Sequence, residues 1–268
     1  MSDSEEHAQG VLNRRMNFCE RLKYQYETAE LYTTCDHCSL FLCICCQHLS
    51  NPSYRRCHHF PIVFVDGACS GNGTEGASSG IGGLFGDDSE YQWSIPVDKE
   101  VDLVPIRTSQ RAELLAAIEG VTRLREYLLS AEFKPPPRSC KAQVVVTTDS
   151  EYVCKGVTEW MPKWKKTGWR TSSGKIVTNK DLFCKLDEVI SSLERREIAV
   201  GFWWIDRKYN AKADSLAKAA CLAPRPLSTI NVQSFVSRFR LWDKPNLKQL
   251  NLPEDRSGTA AQVTTVLQ

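Results

Sequence analysis

From residue 61 onward, hydrophobic positions fall into short continuous runs and longer helical stripes, and their order predicts most of an architecture. PIVFVDGACS, GIGGLFG and YQWSIPV are short apolar runs separated by Gly, Ser and Asp, the pattern of three strands joined by turns; a small antiparallel sheet follows. In SQRAELLAAIEGVTRLREYLLS, residues Leu114, Ala117, Ile118, Val121, Leu124 and Leu128 recur at helical spacing and form one apolar stripe. KPPPR ends that helix, because proline cannot continue the hydrogen-bond ladder. KAQVVVTTD then reads as a buried central strand, and the helix before it implies parallel pairing. DSEYVCKGV predicts a short helix, DLFCKLDEVISSLERRE a longer one and AVGFWWI a last strand; a last helix starts near Asn210, a favoured N-cap residue type.

The remainder is less regular. RRMNFCERLKYQYETAELY predicts a helix, a cysteine-rich patch runs from Cys35 to His59, and the chain beyond Ala223 shows no strong periodicity and is expected to be weakly ordered. Three parts result: an N-terminal extension (1–60), set apart as a separate segment; a main domain (61–222); and a C-terminal extension (223–268). With 268 residues and 42% hydrophobic content, the chain can bury one good-sized core and still carry such appendages.

Charge matters locally. The total of 34 basic and 32 acidic residues nearly cancels, to +2, but WMPKWKKTGWRTSSGK interleaves Trp160, Trp164 and Trp169 with Lys163, Lys165, Lys166, Arg170 and Lys175, a combination suited to a nucleic-acid backbone. No apolar run is long enough to span a bilayer, and MSDSEEHAQG is acidic where a secretory signal would be basic and then apolar; no membrane association and an intracellular location, nucleus or cytoplasm, are expected. The 12 cysteines are accordingly expected to stay reduced. Six of them lie between Cys35 and Cys57, with His37, His48, His58 and His59 close by in CDHC, CICC and CHH groups. A reduced hydrophobic cluster is the preferred reading, and FLCICC reads equally as a buried strand or as a metal-binding knuckle; Zn2+ is the alternative, for which Cys35 and Cys38 have the right two-residue spacer and the remaining ligands stay unassigned.

Four acids stand in distinctive contexts: Asp66 in FVDGACSGNG, Glu113 in TSQRAELLAA, Asp149 in VVTTDSEYV and Asp214 in NAKADSLAKAA. Asp66 and Asp149 end predicted strands, while Glu113 and Asp214 lie on predicted helices. Taken singly, each has an ordinary structural use, in a turn or on a solvated helix face. Brought together they would repel one another, so their convergence implies a hard divalent cation with oxygen ligands, Mg2+ first and Mn2+ as a substitute.

In their order, VDGACSGNG, SQRAELLAA, TTDSEYV and NAKADSLA, with WKKTGWRTSSGKIVTNK between the third and fourth, make residues 61–222 resemble the cellular type 1 ribonuclease H family. The resemblance implies an α/β fold, a five-stranded mixed sheet flanked by helices, and an endoribonuclease that cuts the RNA strand of RNA/DNA hybrids by two-metal-ion catalysis. Asp66, Glu113, Asp149 and Asp214 would be its catalytic and metal-binding residues, with Asp66 bridging both ions. A histidine usually precedes the last acid, but all five histidines here lie before residue 60, and WWIDRKYNAKAD is similar to a histidine-free variant in which Arg207 would contact phosphate or leaving-group charge. The resemblance further implies that Arg107, Thr108, Thr148 and Asn179 hold a DNA phosphate, that Tyr152 and Trp160 face a deoxyribose while Trp164 and Trp169 stiffen the basic segment, and that Asn72 and Gln110 lie along the RNA. Ser109 stands where the family often has asparagine. Two rivals stay open, a non-catalytic hybrid-binding module and another nuclease of the same broad fold. Nothing in the sequence requires a protein partner.

Overall fold

In the computed structural model, which describes residues 9–46, 58, 60–130 and 142–223, the chain opens with a hairpin. β1 (Gly10–Leu12) and β2 (Arg15–Asn17) pair antiparallel around Asn13 and Arg14, both left-handed with φ of 49° and 60°, as a tight hairpin turn demands. The helix expected over residues 14–32 is thereby reduced to α1 (Glu20–Gln25) and one 3-10 turn at Thr28–Glu30. Tertiary contacts account for the change. The Arg14 carbonyl accepts from the Phe202 N–H at 2.8 Å, and its guanidinium meets Asp187 Oδ1 at 2.6 Å and Glu194 Oε2 at 2.7 Å; such pairing outweighs a helix preference of a few tenths of a kcal/mol per residue.

β3 (Tyr32–Thr34) and β4 (Phe41–Cys43) form a separate two-stranded ribbon. The start of FLCICC is therefore a buried strand. Tyr32 and Phe41 pack on Phe64 with ring centroids 4.9 and 5.7 Å away, fastening the ribbon to the main core.

The apolar runs after residue 61 become the expected strands. β5 (Ile62–Ser70), β6 (Ser78–Leu84) and β7 (Gln92–Pro96) make an antiparallel meander, and α2 (Ser109–Leu128) crosses to β8 (Gln143–Thr148), parallel to β5. Next, α3 (Glu151–Lys155), a π turn (Gly156–Trp160) and α4 (Met161–Lys166) run on as one helical stretch, longer than the short helix expected. α5 (Lys180–Glu194), β9 (Ala199–Trp204), parallel to β8, and α6 (Ala211–Leu222) complete the fold.

The sheet runs β1-β2-β9-β8-β5-β6-β7. It is a mixed α/β sheet as expected, but with seven strands instead of five, because the N-terminal hairpin adds to the free edge of β9. That edge was exposed hydrogen-bonding capacity, and the hairpin consumes part of it. Residues 9–46 are thus continuous with the main sheet and core, where Met16, Phe18 and Leu22 pack with Phe60, Ile62 and Val145, and do not stand apart as a separate segment. On α2 the predicted stripe is buried, and each of Leu114, Ile118 and Leu124 contributes roughly 1.5–3 kcal/mol by leaving water. The expectation for the chain after Ala223 lies outside the described residues.

Candidate active site

Asp66 is in the middle of β5, not at its end, opposite Gly82 of β6. Successive strand residues face opposite sides, so Asp66 shares a face with Gly82 while Gly67 points to the other. Both glycines are needed for helix approach. A Cβ on Gly67 would lie 2.2 Å from the Ala112 carbonyl carbon, and one on Gly82 would lie 2.3 Å from the Ala217 nitrogen. Bare backbone there lets α2 and α6 close on opposite faces of the sheet, bringing Glu113 and Asp214 to the strand that carries Asp66. Asp149 follows the last residue of β8, and β8 is the strand parallel to β5.

The carboxyls of Asp66 and Glu113 sense their acidic neighbours. Asp66 is almost fully buried, and burial, with the charge of Asp149, a hydrogen bond to it and the charge of Asp214, pushes its carboxyl up to about 7 against partial relief from Arg207. Burial likewise raises Glu113 well above the ordinary range, reinforced by Asp66 and Asp149 and opposed by the Gly67 main chain and Arg207. Two cations face the four acids. Lys218 Nζ is 2.7 Å from Asp214 Oδ2, and the Arg207 guanidinium lies between two acids, 3.2 Å from Asp149 Oδ2 and 3.7 Å from Asp214 Oδ1.

Three buried oxygens, Asp66 Oδ1, Glu113 Oε2 and Asp214 Oδ1, have no hydrogen-bond partner. Leaving such groups bare is costly, and three hard oxygen donors from three elements fit a divalent cation. The acids do not collapse onto one point: among the described residues, only Cys35, Cys38 and His58 bring three donor atoms all within 4.8 Å of one another.

The family model for RNase H matches residues 59–222, more than half of the chain. The chain belongs to the RNase H family. Its relatives include the ribonuclease H of Cyanothece sp. (strain PCC 7425 / ATCC 29141), 33% identical over 164 residues that cover 61% of this chain and 90% of the relative. The ribonuclease H of Idiomarina loihiensis is 37% identical over 163 residues, covering 59% and 85%. Ribonuclease H1 of Rattus norvegicus is 35% identical over 133 residues, half of this chain, and the match spans only 40% of that protein. Among solved structures, the PFV RNase H domain in solution aligns with 60% of this chain and 93% of its own, at 24% identity and a TM-score of 0.41.

Within this RNase H domain, the structure brings together some of the predicted substrate residues and withdraws others. Thr108 caps α2 by accepting from the Arg111 N–H. Asn179, left-handed at φ 56°, accepts from Arg111 Nη1 at 3.3 Å and donates to the Tyr152 hydroxyl at 3.2 Å, so Thr108, Tyr152 and Asn179 gather around Arg111. The Arg107 guanidinium is buried and donates to the carbonyls of Asp98, Asp102 and Val104, with Asp102 Oδ2 at 3.3 Å, so it organises the loop before α2. Thr148 is also buried, its hydroxyl accepting from the Ser150 N–H. Asn72 is exposed and its side-chain oxygen accepts from the Ser109 N–H at 2.9 Å, tying the glycine turn to the start of α2, where Gln110 is exposed.

Tyr152 and Trp160 meet edge to face at 5.9 Å, and Trp160, Trp164 and Trp169 continue as a row with spacings of 5.8 and 6.3 Å. Lys163, Lys166, Arg170 and Lys175 are exposed beside them, while Lys165 is paired with Asp187 at 2.6 Å.

Sequence reasoning missed two neighbours of the acids. Asn210 occupies the N-cap position, yet its side chain caps nothing; Nδ2 instead donates to the Val65 carbonyl at 3.0 Å and to Asp149 Oδ1 at 2.8 Å. Its spacing four residues before Asp214, one helical turn, was the available signal. Trp204, 46% exposed, donates from Nε1 to the Asp149 carbonyl at 3.0 Å, a contact that only the pairing of β8 with β9 creates.

Proposed function

We propose that this chain is a Mg2+-dependent endoribonuclease that hydrolyses the RNA strand of RNA/DNA hybrids. The supporting observation is the meeting of Asp66, Glu113, Asp149 and Asp214 around Arg207, with three of their buried oxygens lacking a hydrogen bond. Divalent cations bound to these acids would supply Lewis-acid chemistry at the phosphate, an activated water and charge neutralisation on its oxygens.

The protein's own residues prepare this chemistry. Asp66, the most central acid, would hold the metal together with Glu113, Asp149 and Asp214. Asn210 holds Asp149 in one rotamer by binding one carboxylate oxygen, leaving the second turned toward Arg207. Arg207 is exposed and permanently charged, so it serves as a fixed cation toward phosphate or leaving-group oxygen and never as a general base. The exposed cations beside the tryptophan row, Lys163, Lys166, Arg170 and Lys175, grip the DNA strand through phosphates, while Tyr152 and Trp160 offer ring faces to a deoxyribose. Asn72 and Gln110, at the glycine turn and the first turn of α2, lie along the RNA strand and read its 2′-hydroxyls.

An end-labelled hybrid incubated with Mg2+, beside Asp149→Asn, tests the reading. Internal cuts in the RNA strand by the wild type alone are expected, together with loss of calorimetric Mg2+ binding in the variant. Trimming from an end, or retention of the hybrid without cleavage, would overturn it.

A further inference from the structure

We propose that Cys35, Cys38 and His58 form a metal site for a thiophilic divalent ion, zinc by its ligand chemistry, that staples the β3–β4 ribbon to the catalytic domain. Their ligand atoms all lie within 4.8 Å of one another, with Cys38 Sγ 3.2 Å from His58 Nε2. Two thiolates and an imidazole are soft to borderline donors, a set that selects zinc over magnesium, and three protein ligands leave one tetrahedral position for water or another side chain.

The donors are placed by backbone bonds that need no metal. Between β3 and β4, the Cys35 N–H donates to Leu40 O and the Ser39 N–H to Cys35 O, both at 2.8 Å, with Ser39 left-handed at φ 56°. This tight turn gathers both sulfurs. The turn is in turn docked on the end of the main sheet, where Asp87 N donates to Ser39 O at 3.0 Å and Phe41 N to Phe85 O at 2.9 Å. His58 comes from a different stretch, 20 residues after Cys38, and the chain that follows it is fixed by Cys43 N donating to Phe60 O at 3.0 Å and by the bridge between Leu42 and Pro61. Two stretches of chain therefore deliver soft ligands to one point, with Cys35 buried and Cys38 and His58 half-buried.

A bond there would matter beyond the ribbon. Thr34 donates to Asp87 Oδ2 at 2.8 Å, and Asp87 Oδ1 is 3.0 Å from Lys212 Nζ, on α6 two residues before Asp214. The metal closes the loop from residue 38 to 58 and adds its binding energy to folding, so it steadies the ribbon against which this end of α6 rests.

The test uses the full chain purified under reducing conditions without chelator. Elemental analysis is expected to find stoichiometric zinc, and replacement by Co2+ to give thiolate-to-metal charge transfer with the strong visible bands of a tetrahedral site. Cys38→Ser and His58→Ala should lose the metal, His58→Cys should keep it, and chelation should lower the Tm of the wild type by several degrees. Absence of both zinc and the cobalt spectrum from the folded wild type would overturn the proposal, as would undiminished zinc in Cys38→Ser and His58→Ala. The wild-type spectrum decides even where a variant fails to fold.

Discussion

Replacing Asp66 with asparagine should stabilise the metal-free protein while abolishing its chemistry. Burial and the charge of Asp149 raise the Asp66 carboxyl from 3.8 to about 7, so keeping it ionised in the folded state costs roughly 4 kcal/mol relative to the unfolded chain. The folded state holds a proton that the unfolded state has released, so stability contributed by protonated Asp66 is present below about pH 4 and is lost as pH rises to and beyond about 7. Asparagine keeps the shape and removes the charge. Because Glu113 is buried beside Asp66 and shares the electrostatic cost, a gain of about 1–3 kcal/mol is expected near pH 8, a rise in Tm on the order of 3–10 °C. Near pH 5 the gain should fall to roughly a third of that, and it should vanish only toward pH 4. Thermal unfolding followed by circular dichroism in EDTA, at both pH values, measures it. Saturating Mg2+ should then raise the wild-type Tm and leave the variant nearly unmoved, reversing their order, because only a ligand bound by the folded state stabilises it. If Asp66→Asn lowers the Tm equally at both pH values in EDTA, the carboxylate is not under electrostatic strain and the reasoning fails.

Other consequences follow from the same geometry. Asn210→Ala removes the bonds to Val65 and Asp149, which should cost about 2–4 kcal/mol in urea unfolding and lower kcat on a hybrid at least tenfold with KM little changed. Gly67→Ala would place a methyl 2.2 Å from the α2 backbone, so both Tm and activity should fall sharply; wild-type activity in this variant would show that α2 can retreat without displacing Glu113. Lys163→Ala should weaken hybrid binding and flatten the plot of log affinity against log salt by up to about one unit of slope, with no change in cleavage pattern.

The order of elements after residue 61 was legible because local periodicity and burial agreed: VVVTT could only be a buried strand, and the α2 stripe could only face a core. The four acids were legible for a related reason, each lying in a short motif whose neighbours build its own turn or helix. Where two distant segments compete for the same backbone groups, the reading from sequence failed. Residues 15–17 form a strand because the edge of β9 is available. The metal ligands of the N-terminal patch were undecidable for the same cause, since His58 is brought to Cys38 by the pairing of neighbouring backbone and not by spacing.

Local preference and hydrophobic period thus determine which segments are strands and helices, and the four acidic motifs mark the candidate site within the linear order. Only the folded chain decided how the acids meet, with bare glycine backbone on two neighbouring strands letting two helices close on opposite faces of the sheet, Arg207 standing between Asp149 and Asp214, and Asn210 fixing Asp149. Those are contacts between residues tens of positions apart, and their energies depend on distance and burial, which a linear order of residues does not contain.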